Sequence, residues 1–370
     1  MNPFILSAYA GPEYFCDRQQ ESGSLINGIT NSRNTVVTSL RRMGKTGLIR
    51  HVFYSLEKDN NYYLVYLDID QTNSLNDFVN KLANSLLRIK RKSVSDKIID
   101  FLKQFRPIFT FHPVTGMPEV EIRASEVSQD STTIEAIFYY LEKLEKPVVL
   151  AIDEFQRINF YKEQRVEAIL RSYIQHLQNV RFIFSGSSRN ILASMFGDHS
   201  RPFYQSASFL HLERLDIDSY TDFVFEHFRK SGRSINSEDI KTCIDWTANH
   251  TFYSQYLFNS IWGSGLTKIN SDDIAEIEET LLTSRDFLYM NYRNLLSENQ
   301  FQLLKALALE VKVEHPNASE FLKSHNLGSA STINSALKTL IEKELVYYES
   351  GHYQVYDVFQ AQWFRKNSRS

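Results

Sequence analysis

Gly44, Lys45 and Thr46 close the stretch SLRRMGKT (Ser39 to Thr46), and their order suits a triphosphate. A glycine lets the backbone approach phosphate oxygens, a lysine reaches the β- and γ-phosphates as a point charge, and a threonine hydroxyl ligates Mg²⁺. The usual pattern is G-x-x-x-x-G-K-[ST], and here Ser39 stands at its first position. Serine is small enough to keep the turn. The main-chain N–H groups of such a loop cradle the anion, so the expected nucleotide contacts are Ser39, Arg41, Arg42, Met43, Gly44, Lys45, Thr46 and Gly47. From this loop alone, a helix that simply begins with Gly-Lys-Thr stays an open reading.

Two further stretches supply the other half of a hydrolytic site. Pro147 to Glu154 (PVVLAIDE) is an apolar run that ends in two carboxylates. A buried strand of this kind delivers Asp153 to the carboxyl edge of a sheet to hold Mg²⁺, and Glu154 to deprotonate the attacking water. Acidic residues also suit a helix N-terminus, which is the alternative. Arg181 to Phe184 is a second buried run, ending in Ser185-Gly186-Ser187-Ser188. Ser187 is the residue expected to meet the γ-phosphate or the water, and Ser188 is placed to cap the next helix. Glu154, Lys45 and Ser187 are thus the expected catalytic groups, with Thr46 and Asp153 as the metal ligands. Three such pieces in order on three strands outweigh each bland reading taken singly.

Alternating short apolar strands and amphipathic helices must position these groups. Strands are expected at Thr35–Ser39, Tyr62–Ile69, Val148–Ile152, Arg181–Ser185 and Phe209–Leu212. The intervening helices are expected at Gly47–Leu56, Leu75–Ile89, Thr132–Leu144 and Val166–Leu177. That alternation predicts an α/β fold, a parallel sheet with helices on both faces. Pro107–Ser125 breaks it with two β-rich runs around Thr115-Gly116, an inserted hairpin. Asp68 and Asp70 end the second strand, either near the metal or capping the next helix. From about Asp216 helices take over, including Ser219–Lys230 and Glu238–Ala248. The last segment reads helix Glu298–Leu309, helix Ala318–Ser324, turn, helix Ser331–Lys343, then strands Leu345–Tyr348 and Tyr353–Tyr356, the order of a winged helix. Trp246, Trp262 and Trp363 fall in helical patterns and are expected in cores.

The bulk numbers exclude several classes. A length of 370 residues implies two or three domains, here 1–215 with the hairpin near 107–125, 216–296, and 297–370. The net charge of -3 gives no global attraction to nucleic acid or membrane. Cys16 and Cys243 form no metal-type pair and suit a reducing compartment. No run approaches the ~18 apolar residues of a membrane span, and the start lacks signal-peptide character, so a cytoplasmic location without membrane contact is expected. From Ser297 onward eight Lys/Arg face eight Asp/Glu, and the expected recognition helix offers only Lys338 and Lys343 as cations. Phosphate neutralisation supplies most non-specific DNA affinity, so protein contact or packing on the lid is favoured over DNA for this module.

Phe15–Leu25, SLRRMGKTGL, Val148–Ile158, FIFSGSS and the terminal winged helix together resemble the archaeal-type P-loop ATPases of the AAA+/STAND group. The resemblance covers nearly the whole chain. It implies an AAA+-like P-loop domain, a helical lid and a winged helix. Phe15, Arg18 and Glu21 match the family's F-x-x-R-x-x-E box beside the adenine, which adds Arg18 to the expected nucleotide contacts. On chemistry alone Arg18 and Glu21 could equally be a solvated ion pair. The implied activity is slow Mg²⁺-dependent ATP hydrolysis, with ATP or ADP controlling the placement of the winged helix and a protein partner or self-association reading it. The alternatives are a DNA-binding, origin-recognition-like ATPase and a non-hydrolysing ATP-binding scaffold. Two departures favour slow turnover. Pro202-Phe203-Tyr204-Gln205-Ser206 lacks the family's arginine, for which Arg201 is the stand-in, and Asn249-His250-Thr251 replaces a Gly-x-Pro element.

Overall fold

The computed structural model describes residues 1–7, 9–89, 92–111, 113, 116, 118–122 and 127–368. Its chain forms two compact units, Ala8–Glu213 and a second made of Met1–Ser7 with Arg214–Ser370. Residues 1–7, placed by the sequence with the first domain, therefore pack in the second unit.

The first unit contains strands β1 (Thr35–Thr38), β2 (Tyr63–Asp68), β3 (Ile108–Phe111), β4 (Pro118–Glu121), β5 (Val148–Asp153), β6 (Val180–Gly186) and β7 (Ser208–His211). Helices α1 (Gln19–Thr30), α2 (Lys45–Asp59), α3 (Leu75–Leu87), α4 (Lys92–Leu102), α5 (Val127–Glu142), α6 (Val166–Ile174) and α7 (Arg189–Gly197) connect them. Five strands form one parallel sheet in the order β2-β5-β6-β1-β7. Parallel neighbours need crossovers, which explains the alternation legible in the sequence.

Every residue of the interior strand β5 is buried. Its side chains alternate between two cores: Val148, Leu150 and Ile152 pack in one with α3, α5 and α6, and Val149 and Ala151 in the other with α1 and α2. A slip of one residue would exchange the two sets, so this burial fixes the register that places Asp153 at the strand's end.

The expected strands and helices are all present, with ends moved by a few residues. α5 starts at Val127, not Thr132. Ser74, rather than Asp68 or Asp70, caps α3 by accepting from the Asp77 N–H, while Ser188 makes no side-chain cap on α7. The inserted hairpin is β3 and β4, paired antiparallel. Thr115 of its turn and residues 123–125 lie outside the described residues, and Gly116 takes φ 64°.

Two α3 amides fasten this hairpin. Asn84 accepts from the Val120 N–H and donates to the Val120 carbonyl, both at 2.8 Å. Asn80, one turn earlier, repeats the pattern on Ile122 at 2.6 and 3.1 Å. Each amide thus imitates a neighbouring strand, which leaves the β4 backbone satisfied without a third strand.

The second unit is helical until its end, with α8 (Ile217–Lys230), α9 (Ser237–Trp246), α10 (Thr251–Gly263), α11 (Ser271–Thr283) and α12 (Asp286–Leu295). Phe4 is fully buried among Phe228, Phe258 and Trp262, and Asn259 and Gln255 donate to the carbonyls of Phe4 and Ile5. The C-terminal part is α13 (Glu298–Glu310), α14 (Ser319–Ser324), α15 (Ala330–Glu342), β8 (Val346–Glu349) and β9 (His352–Val355), the expected winged helix. A further helix, α16 (Val358–Lys366), follows the hairpin and carries the buried Trp363. Trp246 and Trp262 are only half-buried. Among the described residues, no helix is long and apolar enough to cross a membrane.

Replacing Asn80 by alanine strands the N–H of Ile122, whose carbonyl keeps the Asn76 amide at 3.2 Å, a loss of about 1–3 kcal/mol. Amide exchange at Ile122 should accelerate roughly tenfold or more, while the β5 amides keep their protection; unchanged exchange at Ile122 would show that the amide pair carries no stability.

Candidate active site

The loop between β1 and α2 has the backbone that anion binding requires. Positive φ alternates along it, 59° at Arg42 and 94° at Gly44, which turns successive N–H groups toward one concave side. Nothing lies within 4 Å of a Cβ built on Gly44, so its requirement is conformational and not one of space. α2 then begins at Lys45 and presents its N-terminus to the loop.

Lys45 is 6% exposed. Its ammonium donates to Ser39 Oγ at 3.2 Å and to the Leu40 carbonyl at 3.4 Å. Burial depresses its pKa, and the carboxylates of Glu154 and Asp153 oppose that shift. Ser39, fully buried, donates its own proton to Leu40 O at 2.6 Å and so holds a lone pair toward the ammonium. The unusual first residue of the loop is therefore a resting partner for its lysine, a role that glycine could not fill.

Across from the loop, β5 delivers Asp153, 4% exposed. Three hydroxyls donate to it: Thr46 to Oδ2 at 2.8 Å, Tyr66 to Oδ2 at 2.5 Å and Ser185 to Oδ1 at 2.5 Å. Burial and the adjacent Asp153 carboxylate push the Tyr66 phenol far above its ordinary range, so it stays a donor. A hydroxyl and a carboxylate meeting at this distance form an all-oxygen donor set, which fits a hard cation such as Mg²⁺. Asp68 lies opposite Asp153 in the β2–β5 register, and burial raises its pKa.

Glu154 follows with φ 57°, a left-handed conformation that costs a side-chain-bearing residue about 1 kcal/mol or more. It turns the chain sharply into the 3₁₀ segment Phe155–Phe160. Glu154 Oε2 accepts from the Ser187 N–H at 3.2 Å, from the Ser187 hydroxyl at 2.9 Å and from the Gln156 amide. Gln156 fits only because residue 186 is glycine: a Cβ there would lie 1.8 Å from Gln156 Oε1.

Lys45, Thr46, Asp153, Glu154 and Ser187 thus share one sheet edge. Arg18 is placed differently. It is 4% exposed and directs its guanidinium to Glu21 at 2.6 Å, to the Glu213 carbonyl at 2.6 Å and to the Met43 carbonyl at 3.5 Å. It braces the loop from behind, and its ion pair with Glu21 is part-buried, the arginine enclosed and the glutamate partly exposed. Phe15 stacks on His51, with ring centroids 4.3 Å apart. The side chain of Arg201 is engaged by Glu167 and Asn159.

Sequence reasoning missed Tyr66, Ser185 and Gln156. Ser185 was within reach, because it ends the same buried run two residues before Ser187. Tyr66 carried no signal beyond an apolar strand.

Residues 15–250 match the family described as "ATPase domain predominantly from Archaea", and residues 287–366 match the "Probable winged helix domain" family. The fold is similar to that of the Walker-type ATPase PABY2304 of Pyrococcus abyssi, with TM-score 0.68 and 17% identity over 98% of this chain and 99% of that one. The ORC2 protein of Aeropyrum pernix, solved in ADPNP–ADP complexes, aligns with TM-score 0.55 and 13% identity over 100% of this chain and 98% of that one. The ORC1 protein of the same organism, solved in complex with DNA, gives 0.51 and 11% over 97% and 94%. At these identities the likeness concerns fold alone. No curated protein sequence matches this chain.

Gly186→Ala and Gln156→Ala attack one contact from its two sides. Their losses in thermal stability should therefore fail to add, the double variant matching the worse single one within about 0.5 kcal/mol. Full additivity would separate the two residues.

Proposed function

The chain belongs to the family of ATPase domains found predominantly in Archaea, an ATP-binding ATPase joined to a winged helix, and from that premise we propose that it is a slow, nucleotide-controlled switch. The single observation that carries this reading is the Thr46–Asp153 hydrogen bond, which ties the phosphate loop to the metal-type carboxylate across two different strands.

In this reading the loop amides and the α2 N-terminus receive the phosphates, and the Lys45 ammonium leaves Ser39 for the γ-phosphate oxygens. Thr46 and Asp153 would hold Mg²⁺, which supplies charge neutralisation across the β- and γ-phosphates. Glu154 takes the proton of the attacking water. Its carboxylate already accepts three hydrogen bonds, two of them from Ser187, so the oxygen that would meet the water is engaged. It must shed donors to become an effective base. That requirement, with Arg201 committed to Glu167 and Asn159, supports slow turnover.

ATP binding then sets one state of the protein and hydrolysis returns it to the other, repositioning the winged helix for a protein partner or a second copy. Duplex DNA suits this module less. The polar face of α15 exposes Ser331, Asn334, Ser335 and Lys338, a single cation, and the segment from Ser297 onward is neutral. A cytoplasmic location completes the proposal.

Equilibrium binding of fluorescent ATP should weaken at least tenfold in Lys45→Ala; equal affinity would end the nucleotide reading. Glu154→Gln should keep ATP affinity within about threefold and reduce single-turnover phosphate release by roughly 10²-fold or more, the usual range for losing a general base. Undiminished release would remove Glu154 from the chemistry.

A further inference from the structure

A second concavity lies in the first unit, a groove of about 610 Å³ whose floor is the outer edge of the sheet. β2 is the last strand in the order and pairs only with β5. The N–H groups of Tyr63 and Ile69 point to β5, donating to Pro147 and Asp153 carbonyls, so by the alternation of a strand those of Leu64 and Tyr66 point away from it. In a parallel ladder the N–H and C=O of one residue face the same side, so Leu64 and Tyr66 turn both groups toward the side of β2 that no described strand pairs. Such an edge accepts another strand unless the protein blocks it with proline, a bulge or an inward-pointing charge. Tyr63–Asp68 contains no proline, and Asp68, its one charged residue, stands at the far end, outside the lining of the groove.

The walls define what such a strand would carry. α2 contributes Arg50, Phe53 and Tyr54 on one side, and Arg88 closes the end of α3 on the other. Arg88 makes no ion pair with any described residue, and Arg50 lies over the Tyr66 ring, 3.8 Å from its centroid. Glu57, the one acid in the lining, already has its own partner. Two guanidiniums, aromatic walls and an open strand edge together favour an extended chain bearing carboxylates. Main-chain pairing would give affinity, and the walls would select alternate side chains.

We propose that this groove binds an acidic peptide by strand addition to β2 and that the bound peptide stabilises the metal-holding geometry of Asp153 through Tyr66. Tyr66 is the shared wall. Its backbone lies on the free edge, its ring lies beneath Arg50, and its hydroxyl donates to Asp153 Oδ2 at 2.5 Å. A paired strand fixes the Tyr66 backbone and so reduces the motion left to that hydroxyl, which favours the oriented carboxylate. Peptide binding stands without the ATPase reading, and the coupling rests on it.

The probe is a fluorescein-labelled, end-capped pentapeptide of alternating glutamate and valine, titrated into the full chain without nucleotide and read by anisotropy. Binding should be at least tenfold tighter than that of the lysine–valine analogue, and Arg88→Glu should lose the preference. A glutamate–valine peptide N-methylated on its edge-facing amides should lose at least tenfold, a readout that leaves the protein untouched. Absence of binding, a preference for lysine, or indifference to N-methylation would each overturn the site. With saturating peptide, Mg²⁺–ATP should bind at least threefold tighter, ATP in EDTA should be unchanged, and Tyr66→Phe should abolish the gain. By linkage Mg²⁺–ATP should tighten the peptide by the same factor. Peptide binding without that gain would refute the coupling alone, whereas loss of ATP binding in both arms would count against the ATPase reading.

Discussion

A carboxylate taken out of water must be compensated on both oxygens, and Asp153 is where the first unit solves that problem. Left alone at 4% exposure, its charge would be too costly to keep. Thr46, Tyr66 and Ser185 donate to it from α2, β2 and β6. The compensation therefore joins the phosphate loop, the edge strand and the strand beside β5 at one point. All three donors are neutral hydroxyls. They stabilise the carboxylate without introducing a fixed cation that would repel Mg²⁺. The same three bonds explain why burial of β5 matters to the chemistry, since a register slip would carry Asp153 away from every one of them.

The loop shows the complementary economy for a cation. Lys45 is buried, and burial disfavours its charge. Ser39 Oγ, the Leu40 carbonyl and the field of two carboxylates keep the ammonium satisfied until phosphate replaces them. Glu154 is held more firmly, by a main-chain N–H, a hydroxyl and an amide on a single oxygen. The acidic and basic arms of the site are thus both parked on neutral partners.

Much of this was legible in the residues because period and burial fix a parallel sheet strongly. The β5 run PVVLAIDE can only be buried on both faces, and that alone puts Asp153 and Glu154 at a strand's end. Gly44, Lys45 and Thr46 carry their own geometry. The parts that escaped are those fixed by tertiary contact. Tyr66 belongs to the site because β2 lies beside β5, a pairing between segments about 80 residues apart that no local pattern encodes. Gln156 belongs to it because Gly186, on another strand, leaves it room. The partners of Arg18 escaped for the same reason. Its motif was visible, but its acceptors, the carbonyls of Met43 and Glu213, are backbone groups that side-chain identity does not reveal. Residues 1–7 joined the second unit through Phe4, whose apolar surroundings come from helices more than 200 residues away.

Arg18 also bears on how a site inside the first unit could matter to the second. The chain passes between the two units at two places, after Ser7 and after Glu213. Arg18 bonds the carbonyl of Glu213, the last residue of the first unit, and reaches the Met43 carbonyl in the phosphate loop with the same nitrogen. The first of these contacts, at 2.6 Å, is a strong charge-assisted bond, and the second, at 3.5 Å, is a long one. That nitrogen carries two N–H groups, so it can serve both carbonyls at once. One arginine thus ties the phosphate loop to the last residue of the first unit, after which the chain enters the second.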